Sequence, residues 1–345
     1  MADLNLFVWK DLTRVVQRFV FPNFWFVNNI PINDTVEGTV VQWDIEKPPI
    51  AVDTIFTTDS GTAHPLRMSD YGTQSYRMPV SFVYTVINSG DVVNLRRLGG
   101  NQRDDRGERI IMNHLRNMVR LYDQYLIEWF TSQVFDGTVT ITVGITGGAS
   151  KTIDFFLPAS HNRTASASWA TVGTNIMSDI RTQKVRIAQD YGDEARLGVH
   201  NDSVSVYLMR NTDIGNLVQG SPLGSQMIQT GRLTNFFGLT WVEVNHRFAS
   251  ANQTEGFMNP FVPDDVVLFM AQPDQNWMEI QRGTVSFPDP ERAGSMGVFS
   301  FEEQRGPVVW SIPSHNPTGM QTFLKTAFGV AAPNPNAWVY FDTTP

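Results

Sequence analysis

Residues 108–134 read ERIIMNHLRNMVRLYDQYLIEWFTSQV. Ile111, Leu115, Met118, Tyr122, Tyr125, Leu126, Trp129 and Gln133 recur in it at intervals of three and four, the period at which one stripe of an α-helix faces a core. The spacing predicts a single amphipathic helix over the whole stretch, about 40 Å long at 1.5 Å per residue. That is longer than a small domain is wide, so the helix is expected to run along the backbone of an elongated molecule. Asp104, Asp105 and Glu108 lie at its amino end, where the helix dipole favours carboxylates, and capping and solvation account for them. Gly137 follows its other end, as a helix stop does.

On the amino side, residues 36–45 and 75–87 alternate and are rich in Val, Thr, Tyr and Trp, which predicts two strands of one long hairpin. Between them runs IEKPPIAVDTIFTTDSGTAHPLRMSDYGT, residues 45–73, with Pro48, Pro49, Gly61, Pro65 and Gly72. It is too long and polar for an ordinary connection; such excursions are functional or disordered. Earlier still, Leu4, Phe7, Val8, Leu12, Val15 and Phe19 approach helical spacing, but Pro22 and the run FVFPNFWF at residues 19–26 end any regular helix. The segment reads as an arm. Its Phe19, Phe21, Phe24, Trp25 and Phe26 form an apolar patch that either covers the chain's own distant core or contacts another chain, and both readings stand.

On the carboxyl side, GTVTITVGITGGASKTIDFFL at residues 137–157 alternates around Gly147-Gly148 and predicts a hairpin. Its glycines open no helix, so they carry no phosphate-binding reading. Residues 169–191 predict a second helix stopping at Gly192, residues 204–209 a buried strand, 211–218 a short helix, and 239–244 and 266–271 further strands: a second α+β lobe. The prolines of VVWSIPSHNPTG, residues 308–319, predict a bend. Two closing strands follow, hinged at Pro333 and Pro335, the last ending near Phe341.

The chain has 345 residues, 41% hydrophobic, 12% aromatic and only 17% charged, which sets it apart from disordered and fibrous chains and leaves much aromatic surface to cover. Its length suggests two domains or one composite one. A net charge of −8 argues against a protein that grips nucleic-acid phosphates through a basic face. The absence of cysteine excludes disulfides, thiol nucleophiles and Cys-ligated metal. The longest apolar run, residues 19–27, is broken by Pro22 and Asn23 and is far short of a membrane span. The start lacks the pattern of a signal peptide, so the protein is expected to stay in the cytosol where it is made.

Catalytic chemistry finds no support. His64, His114, His161, His200, His246 and His315 form no close ligand pair. There is no G-x-S-x-G; SGTAH at residues 60–64 reads as a turn. The adjacent acids Asp104 and Asp105, Asp264 and Asp265, and Glu302 and Glu303 point different ways on any helix or strand, and the Gly-rich pieces at residues 98–100 and 219–225 lack the lysine of a P-loop. No enzyme, cofactor or metal is expected. Composition points instead toward assembly: only Lys10, Lys47, Lys151, Lys184 and Lys325 of the 26 basic residues are lysine, and nine Trp and 23 Phe accompany the arginines, the cation and aromatics enriched at interfaces.

Taken in order, the arm, long hairpin, long helix, α+β lobe and returning strand resemble the HK97-fold major capsid proteins of tailed phages, in particular the lambda-type, major capsid protein E, branch. The resemblance covers most of the chain. It is carried by F-x-F-P-x-F-W-F at residues 19–26, and by Tyr76, Arg77, Met78 and Pro79, similar to the family's Y-x-x-P segment. It is carried also by RRLG and R-x-E-R-I-I-M-N between Arg96 and Asn113, and by TGMQTFLKTAFGVAAPNPNAWVYFD from Thr318.

The resemblance implies an α+β, HK97-like capsid fold with an N-arm at 1–35 and an E-loop at 36–88 whose tip is 57–72. The P-domain would span 89–169, with spine helix 108–134 and hairpin 137–157, the A-domain 170–309, and a C-terminal return to the P-domain 310–345. It implies a subunit that self-assembles through hexamers and pentamers into an icosahedral shell around packaged double-stranded DNA, without sequence-specific binding and without a membrane. It would be built in the host bacterial cytoplasm and kept in the virion, with decoration protein, scaffold and portal as partners. The contact residues implied are Phe19, Phe21, Phe24, Trp25, Phe26, Arg67, Tyr71, Tyr76 and Arg77. The loop tip holds no lysine, so no Lys–Asn isopeptide cross-link is expected; hairpin 137–157 has no counterpart and reads as a surface ornament. The alternatives are an encapsulin-like nanocompartment shell and, from another class, a β-rich carbohydrate-active protein.

Overall fold

A computed structural model describes residues 9–17, 29–33, 38–45, 72–88, 105–120, 125–142, 150–219, 221–222, 224, 232–249, 258–271, 277–289, 300–315 and 318–345. In chain order the elements are α1 (Trp9–Gln17), β1 (Ile32–Asn33), β2 (Val40–Ile45), β3 (Gly72–Arg77), β4 (Val80–Asn88), α2 (Asp105–Val119), α3 (Tyr125–Val134), β5 (Thr138–Thr142), β6 (Ser150–Asp154), β7 (Asn162–Thr164), α4 (Ile176–Asp190), β8 (Leu197–His200), α5 (Asp202–Arg210), α6 (Thr212–Val218), β9 (Asn235–Phe236), β10 (Leu239–Glu243), β11 (Arg247–Ala249), β12 (Met258–Pro260), β13 (Val266–Met270), β14 (Glu279–Arg282), β15 (Thr284–Asp289), β16 (Ser300–Arg305), β17 (Val308–His315), β18 (Thr318–Ala331) and β19 (Trp338–Asp342). They fall into two compact units, each drawn from separate stretches of chain: 1–41, 76–130 and 280–330 in the first, 42–75, 131–279 and 331–345 in the second.

The first unit is organised by β18. It pairs antiparallel with β17 on one side and β4 on the other, and β14 and β1 complete a five-stranded sheet. On one face Val309, Leu324 and Val83 meet Leu12 and Val16 of α1 and Leu115, Met118 and Val119 of α2, the i, i+4 stripes that the sequence carries. The Thr13 hydroxyl donates to the Val309 carbonyl at 3.2 Å and accepts from the Val309 amide at 3.1 Å. One buried side chain thus satisfies two backbone groups of a strand that pairs only with β18 among the described residues and would otherwise leave them unbonded. Tyr76 is held in the same way. Its hydroxyl donates to the Val330 carbonyl at 3.0 Å and accepts from the Val330 amide at 2.7 Å, and burial pushes its pKa far above the usual phenol range. A Cβ on Gly329 would sit 2.6 Å from that hydroxyl and against Val41, so only glycine lets the ring dock.

Two expectations change here. The predicted helix 108–134 is found as α2, beginning at Asp105 among the expected carboxylates, and α3; residues 121–124 lie outside the described residues. The predicted hairpin is only half of one. β2 pairs with β3, and the Met78 amide still donates to the Thr39 carbonyl at 2.8 Å. Pro79 then has no N–H to continue the ladder, and β4 leaves the ribbon to pair with β18.

The second unit holds a six-stranded mixed sheet in the order β7-β19-β13-β8-β10-β9. Every residue of β13, VVLFM, is buried, as a central strand covered on both faces requires. Helix α4 buries Ile176, Ile180, Gln183 and Ile187 and is capped by Asn175, whose side chain accepts from the Ser178 amide. It starts later than the predicted residue 169. Trp169 stays in the preceding turn, where its indole N–H donates to Asp179 at 2.8 Å and its ring lies 5.6 Å from Phe341.

The strand predicted at 204–209 is instead helix α5. A short apolar run cannot separate strand from helix by periodicity; Asn201 decides it by accepting from the Ser203 amide at 3.1 Å, with Val204 and Leu208 buried one turn apart. Hairpin β5–β6 forms as predicted, its Gly147-Gly148 turn lying outside the described residues. β19 joins the second unit's sheet, antiparallel to β13 and parallel to β7, because its VVLFM partner lies there; β15, β16 and β17 belong to the first unit.

His200 gives this unit an acid-sensitive point. The ring is buried, its Nδ1 2.7 Å from the Asn201 carbonyl and its centroid 5.5 Å from that of Trp241, and burial lowers its pKa below 6.5. The unfolded chain therefore takes up a proton that the folded one resists. The contribution is complete above about pH 6.5 and is lost as pH falls through the lowered value. Thermal melts are expected to show a falling midpoint between about pH 7 and 5 that is flatter in His200→Gln.

Candidate assembly surface

The expected contact residues Phe19, Phe21, Phe24, Trp25, Phe26, Arg67 and Tyr71 lie outside the described residues, as does the SGTAH stretch. Tyr76 faces inward, bound to Val330, because side chains alternate along β3; its neighbour Arg77 is exposed. Tyr76 is therefore spent on the subunit's own core.

The surface that sequence reasoning missed is the other face of the β4–β18–β17 sheet. Val80, Phe82 and Tyr84 project from β4 two residues apart and are 45%, 57% and 62% exposed. Phe82 stacks at 5.7 Å on Trp310 and at 5.8 Å on Phe323, and Tyr84 lies 5.7 Å from Phe323. Trp310 and Phe323 stack at 5.4 Å, and Phe287 of β15 lies 5.7 Å from the buried Trp310. Lys325 donates to the Ser286 carbonyl at 2.7 Å and sits 5.9 Å from the Phe82 ring centroid. The inner rings are covered and the outer two are open, giving an apolar ledge with one cation at its side. Chemically, such a ledge receives aromatic and aliphatic groups, with the Tyr84 hydroxyl and the Lys325 ammonium as its polar groups. The alternation in SFVYTV did signal a strand. It could not say that the face carrying the large aromatics was the open one.

Asp264, Asp265 and His161 have partners within the fold. Asp264 accepts from Asn201 at 2.7 Å and Asp265 from the Tyr207 hydroxyl at 2.7 Å, so the adjacent acids serve different partners. His161 lies with Nδ1 2.6 Å from the Trp338 carbonyl and Nε2 2.9 Å from Asp190, bracing β19 against the end of α4. Among the described residues no three His, Asp or Glu side chains are grouped to hold a metal, and no helix is long and apolar enough to cross a membrane. Trp43, Trp169, Trp241, Trp277, Trp310 and Trp338 are buried; these rings fill cores and offer no stacking platform to a sugar.

Comparison with known proteins places this geometry. A family model described as phage major capsid protein E matches residues 10–316. In fold, the chain is similar to a candidate capsid protein of a prophage of Escherichia coli CFT073, with a TM-score of 0.61 at 13% identity over 97% of this chain and 98% of that one. It is similar also to a phage-related protein from Bordetella bronchiseptica RB50, with a TM-score of 0.54 at 11% identity over 96% of each chain. No curated protein gives a significant sequence match. The α+β, HK97-like fold expected from the sequence is the fold observed.

Proposed function

The chain belongs to the phage major capsid protein E family and is a shell-forming subunit of the virion capsid; from that premise we propose that it closes, as hexamers and pentamers, into an icosahedral head around packaged double-stranded DNA. The observation that carries this reading is the Phe82–Tyr84 ledge. It is a row of large apolar side chains left in water on a sheet whose other face is covered by α1 and α2, which is what a surface reserved for another copy looks like. The net charge of −8 suits a container, since carboxylates repel phosphate and let the lining hold DNA without adhering to it.

In this reading the unit containing α2 is the P-domain and the unit containing the six-stranded sheet is the A-domain. The arm at 19–26 and the loop at 57–72 reach neighbouring subunits. The shell assembles in the host cytoplasm with scaffold and portal, is reinforced by a decoration protein, and performs no catalysis. Purified particles imaged by electron microscopy are expected to be closed shells containing nuclease-protected double-stranded DNA. Particles filled with protein cargo and free of DNA would overturn the head reading in favour of a nanocompartment. Boiled particles on an SDS gel are expected to run as monomer only; a ladder of multimers would refute assembly without cross-links.

A further inference from the structure

The turn between β9 and β10 holds a residue that local energetics do not favour. Phe236 pairs with Leu239, leaving Phe237 and Gly238 as a two-residue turn with φ of +57° and +73°. Turns with both central residues left-handed ordinarily use Asn-Gly, and a bulky residue there is an outlier. The ring lies 5.9 Å from that of Phe236 and is still 40% exposed. Lys184 of α4 donates to the Phe237 carbonyl at 3.3 Å and holds the turn against the helix. Beside the ring is Val185, 47% exposed, and the two line a cleft of about 280 Å³ with Arg181, Lys184, Ala188 and Glu194. A second cleft, also about 280 Å³, continues along α4 past Arg181 and Arg186. Burial first and then Arg163 lower the pKa of Arg186, against Asp190, and Lys184 lies 3.9 Å from Glu194; the ridge is apolar at its centre, with arginines in excess of acids along the flank that carries Arg163, Arg181 and Arg186.

The opposite end of the same strands is rich in acids, one of which, Glu243, is paired with Arg232 at 3.1 Å. β10 and β8 run parallel, with Thr240 beside Leu197 and Glu243 beside His200, and β13 returns antiparallel from Val267 beside His200. Asp202, Asp264 and Asp265 follow or precede that far end, roughly 17 Å from the Phe237 turn at 3.3 Å per strand residue. Two of them act on Tyr207, whose hydroxyl is pushed up to about 12 by its hydrogen bond to Asp265, by burial and by the charges of Asp265 and Asp264. Two complementary patches at opposite ends of one sheet cannot meet within a chain. They can meet between chains in a head-to-tail contact, the kind that generates rings, with charge fixing the register.

We infer that the Val185–Phe237 ridge, with Arg181 and Arg186 at its flank, docks on the Asp202–Asp264 end of a second copy, and that the strain at Phe237 is retained for this contact. The inference rests on the shell reading above. The test compares full-length variants by the fraction sedimenting as closed particles and by the thermal midpoint of the unassembled chain. Phe237→Asn is expected to raise the midpoint, because it relieves the turn, while raising the concentration needed for assembly about tenfold. A lowered midpoint with normal particles would overturn the proposal, since it would mean that the ring serves only its own fold. Arg181→Glu and Asp202→Arg are each expected to impair assembly and their combination to restore it. Unimpaired single variants, or a combination that fails to recover, would refute the charge pairing while wild-type shells still stood. Failure of the wild-type chain to form shells would instead refute the shell reading.

Discussion

Replacing Phe82 and Tyr84 together by serine is expected to leave a folded subunit that no longer closes into shells. Both rings are more than half exposed, so their removal costs the isolated chain little: about 1–2 kcal/mol for the lost stacking of Phe82 on Trp310 and Phe323 and of Tyr84 on Phe323. The same rings are repeated on every copy. Covering their remaining apolar surface supplies on the order of 1 kcal/mol each, multiplied over every subunit of a shell that closes only when all its contacts hold. Near-ultraviolet circular dichroism should therefore change slightly while sedimentation shows free subunits in place of particles. Normal particles from the double variant would mean that the ledge faces solvent in the shell, and the surface assigned here would be wrong.

The largest effect on the chain itself is expected from Trp338→Ala. Trp338 is fully buried in the second unit, its ring 6.0 Å from those of both Phe135 and Trp277, and its indole N–H donates to the Phe135 carbonyl at 3.2 Å. Truncation opens a cavity that three neighbouring elements hold apart and orphans a buried acceptor. The combined loss is about 3–5 kcal/mol, a large share of the roughly 5–15 kcal/mol by which a native protein is stable. Denaturant unfolding of the unassembled chain measures it. A loss below about 1 kcal/mol would show that the site collapses around the cavity.

How far the sequence could be read depended on whether a feature is fixed by neighbours along the chain or by partners across it. The stripe through Leu115 and Met118 is a local period, and it located a helix that packs as expected. The pairing of residues 138–142 with 150–154 followed from alternation around two glycines. Residues 204–209 failed as a strand because six apolar-rich residues fit either period, and the deciding atom, the Asn201 side-chain oxygen, lies outside the run. Residues 80–88 were rightly strand and wrongly partnered. The break at Pro79 is visible in the sequence, but the partner is β18, more than 230 residues away. The Phe237 turn was passed over because Phe-Gly is not a turn signature; only the backbone angles expose it.

The sequence by itself carried the helical and strand periods from which an α+β chain is read and, between Phe19 and Asp342, the motifs by which it resembles the family whose model it matches. It determined too that a lightly charged chain of 345 residues carries 12% aromatic residues, a surplus of apolar surface to be covered. The tertiary structure decided where that surplus lies. Tyr76 and Trp310 go inward while Phe82 and Tyr84 stay out, and β19 closes the second unit. Those choices depend on which strand lies beside which, and a period of two assigns residues to two faces without saying which face another element will cover.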